Sequence, residues 1–240
     1  MTQAPNTRDV TLHGLGTADP QGARVVQVQK SLMVHNNGVA ATNRDAFGQR
    51  LVLNVVSSPG SGKTALLERT VRELASEVRV GVVVGDLETD NDAQRLFAAG
   101  APSVQIATGT VCHLEAEMVA KAVQRLDLDA IDLLVIENVG NLVCPAAWDL
   151  GEDLRVVLLS TTEGEDKPLK YPRIFKDADV VVINKIDIAE VVGFDRDAAL
   201  RNLASVASGA PVFELSARTG VGLSGWLDFL RERRVAKLQA

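Results

Sequence analysis

The sequence predicts an α/β protein whose mostly parallel sheet is flanked by helices on both faces. Short runs of Val, Leu and Ile recur from residue 51 onward, and segments with helical spacing of apolar residues separate them. Hydrophobic residues make up 46% of the 240 residues, whereas aromatic residues make up only 4%. Continuous apolar strands that alternate with helices are typical of a parallel sheet that is buried on both faces.

The chain divides into three predicted regions. Residues 1–24 are a polar leader, rich in Gly, Pro, Thr, Asn and Asp, which we expect to be flexible. Residues 25–48 form a weakly helical N-terminal extension, in which Asn36-Asn37-Gly38 predicts a break. Residues 49–240 carry the alternating pattern and are predicted to fold as one domain.

The elements of this domain follow from its apolar runs. The predicted strands are Leu51–Val56, Val80–Val84, Leu133–Ile136, Val156–Leu159, Val180–Ile183 and Val212–Leu215. The helix after the first strand has Leu67, Val71, Leu74 and Val78 at helical spacing. A second helix is predicted to start at Cys112 or His113, and the last one passes through Trp226 and Leu230. Ligands of such sheets bind beyond the carboxyl ends of the strands, so chemistry is expected in the loops that follow them.

Composition excludes several classes of function. The formal net charge of −6 argues against nucleic acid as a partner. The chain has no apolar run of about 20 residues, so no membrane helix is expected. Its polar start lacks the apolar core of a signal peptide, which predicts a cytoplasmic location. The two cysteines could form one disulfide, but free thiols or metal ligands are favoured in such a protein.

The loop after the first strand predicts a P-loop NTPase. Residues 57–64, SSPGSGKT, connect this strand to a helix, which is the context that a phosphate-binding loop needs. Gly60, Ser61 and Gly62 turn their backbone N–H groups toward phosphate oxygens, with help from the helix dipole. Lys63 is predicted to bind the β- and γ-phosphates and Thr64 to bind Mg²⁺. Ser57 occupies the place where the general motif has Gly.

A second loop predicts that the nucleotide base is guanine. Asn184-Lys185-Ile186-Asp187 follows an apolar strand downstream of the P-loop. The Asp187 carboxylate can accept hydrogen bonds from N1 and N2 of guanine, whereas adenine does not present these donors together. A site built for such donors can reject the analogue that lacks them by a factor of about 10⁴. Ser216 and Ala217 are predicted to support this contact, which makes residues 49–240 a P-loop GTPase domain.

Acidic residues at the same sheet end predict a magnesium site. Glu137 directly follows the strand ending at Ile136, and Gly140 can place a backbone N–H near the γ-phosphate. Asp86 follows the second strand and is the candidate for orienting the attacking water. The predicted catalytic residues are therefore Lys63, Asp86 and Glu137. The predicted magnesium ligands are Thr64, Asp86 and Glu137. The nearby Asp90 and Asp92 fit a capped helix start equally well.

Two cysteines and a histidine predict a second metal site. Cys112-His113 is interpreted as a pair at a helix start, where a thiol pKa is lowered. Thiolate and imidazole suit Ni²⁺ or Zn²⁺ better than Mg²⁺. Cys144 lies in the loop after Glu137, at the same sheet end.

Trp148 and Trp226 are interpreted as packing residues. Lys167 is interpreted either as a contact to the nucleotide or to a partner subunit, or as a solvated lysine.

These motifs together resemble the hydrogenase-maturation nickel-insertion GTPases (the HypB family). The resemblance rests on residues 57–64, on 85–93, on GTVCHLEAEMV at 109–119, on ENVGNLVCP at 137–145 and on EGEDKPLKYP at 163–172. It covers roughly Val25 to Trp226. The Ser at position 57 also matches this family.

The resemblance implies a GTP-hydrolysing metallochaperone that binds GTP or GDP, Mg²⁺, and nickel or zinc. It implies a homodimer promoted by GTP, with Cys112, His113 and Cys144 as metal ligands at the interface. Other hydrogenase-maturation proteins and the hydrogenase large subunit are the implied partners. The Cys-rich or His-rich N-terminal motifs of some members have no counterpart here, so we expect the interface site to be the only metal site.

Three alternatives remain open from the sequence. The related GTPase that supplies nickel to urease favours a Cys-Pro-His motif, whereas Cys112 and His113 are adjacent. A regulatory GTP-binding switch would hold a partner protein and merely bury its cysteines. A P-loop kinase of a small molecule is disfavoured by the loop from Asn184 to Asp187.

Overall fold

The computed structural model describes residues 20–86, 91–207 and 209–239, with side chains from residue 31 onward. The chain forms two compact units, Met1–Val34 and His35–Ala240, and the second contains the whole sheet. The predicted leader lies outside the described residues except for residues 20–24, which are helical. The division into leader, extension and GTPase domain stays a prediction.

Seven parallel strands form one sheet in the order β3-β2-β4-β1-β5-β6-β7. The strands are β1 Leu51–Ser57, β2 Val80–Asp86, β3 Ser103–Ala107, β4 Leu133–Glu137, β5 Leu154–Ser160, β6 Val180–Asn184 and β7 Val212–Glu214. β3 was missed because its Ser-Val-Gln-Ile-Ala sequence is short, mixed in polarity and only half-buried at the sheet edge. The predicted α/β class with a parallel sheet is confirmed.

Helices cover both faces of this sheet. They are α1 Pro20–Phe47, α2 Lys63–Leu74, α3 Asn91–Ala98, α4 Ala116–Val123, α5 Lys167–Lys170, α6 Pro172–Lys176, α7 Arg196–Val206 and α8 Leu223–Leu238. On one face α2 and α8 pack on β1, and Trp226 is fully buried there with its indole N–H bonded to Thr70 Oγ1 (3.0 Å). The other face is covered in two parts, one by α4 and one by α6 and α7. In the described part of the chain, no helix is long and apolar enough to cross a bilayer.

Two predictions of helix boundaries are wrong. The helix α1 runs unbroken through Asn36-Asn37-Gly38, because the buried Asn36 side chain bonds other segments of the protein rather than its own backbone. The helix α4 begins at Ala116, so Cys112 and His113 lie in the loop before it rather than at its start. A helix N-terminus therefore does not explain any activation of the Cys112 thiol.

The central strand β1 lies between β4 and β5. Strands β2, β3 and β4 lie on one side of β1, and strands β5, β6 and β7 lie on the other. The crevice at such a switch in strand order is where open α/β sheets bind ligands. The carboxyl ends of β1, β4, β5 and β6 place Ser57, Glu137, Ser160 and Asn184 at one edge of the sheet.

Candidate functional site

The loop after β1 has the backbone of a phosphate-binding turn. Gly60 and Gly62 adopt left-handed conformations, with φ of 75° and 94°, which residues with a Cβ rarely adopt. A Cβ at position 62 would lie 2.7 Å from Asn184 Nδ2, so glycine is also required by space. The helix α2 begins at Lys63 and directs its free N–H groups toward this turn.

Ser57 holds the P-loop lysine. The Lys63 ammonium donates a hydrogen bond to Ser57 Oγ over 3.0 Å, and both side chains are buried. Burial lowers the pKa of Lys63, while the carboxylate of Glu137 opposes this shift. The residue that departs from the general P-loop motif therefore contacts the predicted phosphate-binding lysine directly.

Thr64 and Glu137 meet where the magnesium site is predicted. The Thr64 hydroxyl donates to Glu137 Oε1 over 2.7 Å. Burial raises the pKa of Glu137 to about 7, against the opposing effects of Lys63 and Thr64. Glu137 Oε2 is buried and has no hydrogen-bond partner among the described residues, so it is available to an incoming ligand. A cation ligated nearby would lower this pKa, because it favours the ionised carboxylate.

A cavity of about 400 Å³ adjoins this pair. Its walls come from the P-loop, from the ends of β2 and β4, and from the start of α3. The lining includes Lys63, Thr64, Asp86, Glu137 and Gly140. A Cβ at position 140 would lie 3.0 Å from Pro59 Cα, so the loop after β4 packs directly against the P-loop. Of the residues predicted to bind phosphate and magnesium, all but Ser61 line this one cavity, and Ser61 is buried in the same turn.

Asn184 and Lys185 join the base loop to the P-loop. Asn184 donates to the carbonyl of Ser61 (2.9 Å) and accepts from the backbone N–H of Ala217 (3.1 Å). Lys185 donates to the carbonyl of Gly60 (2.7 Å) and has a left-handed φ of 66°. These contacts fix the spacing between the phosphate and base ends of the site.

A second cavity, of about 200 Å³, lies on the base side. Its lining includes Asn184, Lys185, Asp187, Ser216 and Ala217. Gly62 and Ala65 line both cavities, so the two cavities share a wall at the start of α2. Asp187 is exposed at its mouth, where a carboxylate can accept hydrogen bonds from a base.

The segment after β5 adds contacts that the sequence did not single out. The Ser61 hydroxyl donates to the carboxylate of Glu163. Lys167 lies 3.7 Å from Glu163 and donates to the Ser58 hydroxyl over 3.4 Å. With 21% of its side chain exposed, Lys167 is a P-loop contact rather than a solvated lysine. The motif at residues 163–172 supports the family resemblance, but no sequence pattern predicts that it contacts the P-loop at residue 58.

Cys112, His113 and Cys144 form one cluster, as predicted. Their candidate ligand atoms all lie within 4.8 Å of one another. The two Sγ atoms are 2.8 Å apart, longer than the roughly 2.05 Å of a disulfide, and both thiols are free. The Cys112 Sγ and His113 Nδ1 atoms are 4.0 Å apart. A tetrahedral zinc site would hold its sulfurs about 3.8 Å apart, so about 1 Å of widening would admit a metal.

Trp148 stacks on the histidine of this cluster. The two ring centroids are 4.5 Å apart with an interplanar angle of 23°. Burial lowers the pKa of His113, which favours the neutral imidazole that a metal requires, although Glu115 at 3.7 Å opposes the shift. The interpretation of Trp148 as a packing residue is therefore incomplete, because its packing partner is a predicted metal ligand.

The magnesium-side loop and the cluster share a buried contact through Asn138. This residue directly follows Glu137, and only 1% of it is exposed. Its Oδ1 accepts from the backbone N–H of Leu114 (3.2 Å), next to His113. Its Nδ2 donates to Asn54 Oδ1 on β1 (3.2 Å). Sequence pattern could not find this contact, because it joins two loops that are distant along the chain.

Comparison with known proteins agrees with this geometry. The family model described as CobW/HypB/UreG, nucleotide-binding domain, matches residues 51–214. The hydrogenase maturation factor HypB of Escherichia coli (strain K12) is 46% identical over 215 residues, which are 89% of this chain and 74% of that protein. The chain belongs to the HypB family. HypB of Azotobacter vinelandii is 47% identical over 220 residues, covering 91% of this chain and 73% of that protein.

Solved structures of HypB proteins share this fold. HypB from Helicobacter pylori in complex with nickel has a TM-score of 0.81 and 40% identity, and the match covers 86% of this chain and 98% of that one. HypB from Archaeoglobus fulgidus has a TM-score of 0.79 and 39% identity, with coverage of 84% and 99%. Membership in the HypB family, predicted from the motifs, is thus confirmed, and with it a nucleotide-binding domain of a hydrogenase maturation factor.

Proposed function

We propose that this chain is a GTP-hydrolysing metallochaperone that binds nickel or zinc at a nucleotide-dependent dimer interface. In this role it assists nickel insertion into [NiFe]-hydrogenase. The observation that carries the proposal is the buried hydrogen bond from Leu114 to Asn138. It joins the segment of the Cys112-His113-Cys144 cluster to the loop that begins at Glu137, in a HypB-family chain.

The nucleotide is guanosine triphosphate or guanosine diphosphate with Mg²⁺. Gly60, Ser61 and Gly62 cradle the phosphates, and Lys63 contacts the β- and γ-phosphates once it leaves Ser57. Asp187 accepts from the guanine base, with Asn184, Lys185, Ser216 and Ala217 completing its pocket. Thr64, Asp86 and Glu137 would hold Mg²⁺, which would supply neutralisation of charge on the phosphates.

Hydrolysis is assigned to Lys63, Asp86 and Glu137. Phosphoryl transfer depends mainly on positioning and on neutralising charge on the equatorial oxygens. Lys63 supplies a buried positive charge, and Glu137 supplies the carboxylate for the cation. Asp86 ends β2 and lines the same cavity, which suits the role of orienting the attacking water.

The cargo metal is held by Cys112, His113 and Cys144. Two thiolates and one imidazole suit both nickel and zinc. Among the described residues the cluster offers three ligands, one fewer than a closed tetrahedral site has. One further ligand from a second copy of the chain would complete such a shell, which is compatible with a metal at the proposed dimer interface. The HypB structure from Helicobacter pylori that holds nickel supports nickel as the cargo.

Nucleotide state would control metal affinity through the loop after β4. A γ-phosphate orders the loops that contact it, and here that loop packs on Pro59 and bonds the Leu114 backbone. Transfer requires that the metal bind one nucleotide state more tightly than the other. Receiving partners would be other hydrogenase-maturation proteins and the hydrogenase large subunit. A cytoplasmic location stays a prediction.

The test is a nickel titration of wild type and Cys112→Ala, each with GDP and with a non-hydrolysable GTP analogue. Wild type should bind nickel with different affinity in the two states, and Cys112→Ala should lose most of that binding. Mass measurement should show dimers with the GTP analogue, and phosphate release should show GTP hydrolysis. Equal nickel affinity in all states would refute the coupling. Full hydrogenase maturation by Cys112→Ala/Cys144→Ala protein would favour the regulatory-switch alternative.

A further inference from the structure

The C-terminal half of α1 contains an asparagine that bridges the two segments proposed to bind metal. Asn36 is 96% buried, with 4% of it exposed. Its Oδ1 accepts from the backbone N–H of Ala116 (2.9 Å), at the end of the segment that carries Cys112 and His113. Its Nδ2 donates to the carbonyl of Asp149 (2.8 Å), at the end of the segment that carries Cys144. One amide side chain therefore contacts both segments at once.

A second asparagine repeats this arrangement about two turns further along α1. Asn43 is 3% exposed, and its Nδ2 donates to the carbonyls of both Ala116 (2.9 Å) and Leu150 (3.0 Å). Just beyond Leu150, a Cβ at Gly151 would lie 2.8 Å from the Ala40 carbonyl and from Asn43 Cβ, so the backbone there packs directly on the helix. Asn36 and Asn43 are hereafter called the asparagine clamp.

Loss of the clamp would leave backbone groups without partners in a region where Ala116 and Leu150 are buried and Asp149 is half-buried. An orphaned buried polar group costs more free energy than a hydrogen bond between neutral groups contributes net. Removing Asn36 takes a partner from the Ala116 N–H and from the Asp149 carbonyl, and removing Asn43 takes one from the Leu150 carbonyl. The two segments should then move away from α1 so that water can reach the unpaired groups. The metal ligands that precede Ala116 and Asp149 would move with these segments.

We propose that Asn36 and Asn43 are positioning residues that hold the two metal-binding segments in register for joint metal binding. The inference rests on the proposed function for the identity of the metal ligands. Neither asparagine contacts the ligand atoms. They act through the backbone at Ala116, Asp149 and Leu150, as outer-sphere partners act on metal ligands elsewhere.

Nickel affinity is the first test, measured on the full-length chain. Asn36→Ala and Asn43→Ala should each weaken nickel binding by about 10- to 100-fold, the usual range for loss of an outer-sphere partner. Asn37→Ala is the matched control, because Asn37 is the adjacent residue of the same type and is exposed. Affinity for GDP should stay within about twofold in all three variants. Nickel affinity of Asn36→Ala equal to that of Asn37→Ala would overturn the proposal.

A conservative variant guards against failure to fold. Asn36→Asp keeps an oxygen that accepts from Ala116 but loses the donor to the Asp149 carbonyl. We expect Asn36→Asp to bind nickel with an affinity between those of wild type and Asn36→Ala. Its circular-dichroism spectrum should match that of wild type. An affinity of Asn36→Asp equal to that of wild type would show that bridging does not matter, and would also overturn the proposal.

A metal-free measurement separates the clamp from the proposed function. The chain has two cysteines, so equilibration with glutathione disulfide reports their juxtaposition alone. Cys112 and Cys144 together reduce one glutathione disulfide to two glutathiones and form one intramolecular disulfide. The effective concentration of the two thiols should fall at least about tenfold in Asn36→Ala and remain unchanged in Asn37→Ala.

The two readouts give distinguishable failures. If Cys112→Ala binds nickel as wild type does, the proposed metal site is wrong, and the thiol equilibrium then decides on the clamp by itself. If the thiol equilibrium is also the same in Asn36→Ala and Asn37→Ala, the clamp is refuted as well.

Discussion

Asn138 accepts a hydrogen bond from the backbone N–H of Leu114 over 3.2 Å, and this bond is buried. One partner follows Glu137 at the predicted magnesium site, and the other follows His113 in the cysteine-histidine cluster. Two loops with different predicted chemistry are thus joined by one contact.

Asn138→Ala should weaken the coupling between nucleotide and metal. In wild type we expect GDP and a GTP analogue to differ in nickel affinity by about 5- to 150-fold, the usual range of allosteric coupling. The variant should reduce the coupling free energy by about 0.5–2 kcal/mol, because the loops lose their shared bond. Nickel titration in both nucleotide states measures the effect.

The matched control for that experiment is Asn202→Ala. Asn202 donates to the carbonyl of Glu165, away from both loops, so its loss should leave the coupling at the wild-type value. An unchanged ratio of nickel affinities in Asn138→Ala, with GDP binding intact, would mean that nucleotide state reaches the cluster by another route.

Magnesium-dependent nucleotide binding should decline in acid. The pKa of Glu137 is raised to about 7 in the metal-free protein, so below pH 7 the carboxyl carries a proton that Mg²⁺ must displace. The gain in GDP affinity that Mg²⁺ provides should therefore fall by up to about tenfold per pH unit between pH 7 and 5. Titrations with GDP in Mg²⁺ and in EDTA give this gain.

Glu137→Gln tests the origin of that pH dependence. Glutamine cannot ionise, so the variant should lose most of the magnesium-dependent gain at every pH in this window. A gain that still falls with acidity in Glu137→Gln would assign the titration to another group.

Asp187→Asn should change the preference for the base. Xanthine carries a carbonyl oxygen where guanine has its N2 amino group, so an amide at position 187 can donate to it. We expect GDP affinity to fall by about 10²-fold or more and affinity for xanthosine diphosphate to rise, because a mismatched polar site leaves groups unpaired. Glu190→Gln, on a neighbouring exposed carboxylate, should change neither affinity. GDP binding by Asp187→Asn at wild-type strength would place the base elsewhere.

Metal binding should quench the fluorescence of Trp148. This ring stacks on His113 at 4.5 Å, whereas Trp226 is fully buried between α8 and the sheet. Adding Ni²⁺ should reduce the emission, and removing it with EDTA should restore the emission. Trp148→Phe, which retains Trp226, should show no response. Quenching of equal size in Trp148→Phe would mean that nickel binds away from this cluster.

The fold class and the family were predicted from sequence and are confirmed, whereas the binding roles of the two nucleotide loops stay predictions. Local patterns suffice for these, because apolar runs give buried parallel strands and Gly-Lys-Thr or Asn-Lys-X-Asp needs only its flanking strand and helix. The same local reasoning predicted a break at Asn36 and a helix start at Cys112, and both predictions were wrong. Helix and turn propensities describe the local preference of a residue and take no account of hydrogen bonds to distant segments.

The hydrogen-bond partners of the buried polar side chains are set by how the folded segments pack. Asn36 is compatible with a helix because Ala116 and Asp149 satisfy its amide, and Asn138 joins two loops that meet only once the sheet has formed. The hydrogen bond from Lys63 to Ser57 likewise forms between two side chains that are buried in the folded protein. Buried hydrogen bonds between distant segments leave no periodic trace in a sequence, because their spacing is set by strand order and not by the repeat of a helix or strand.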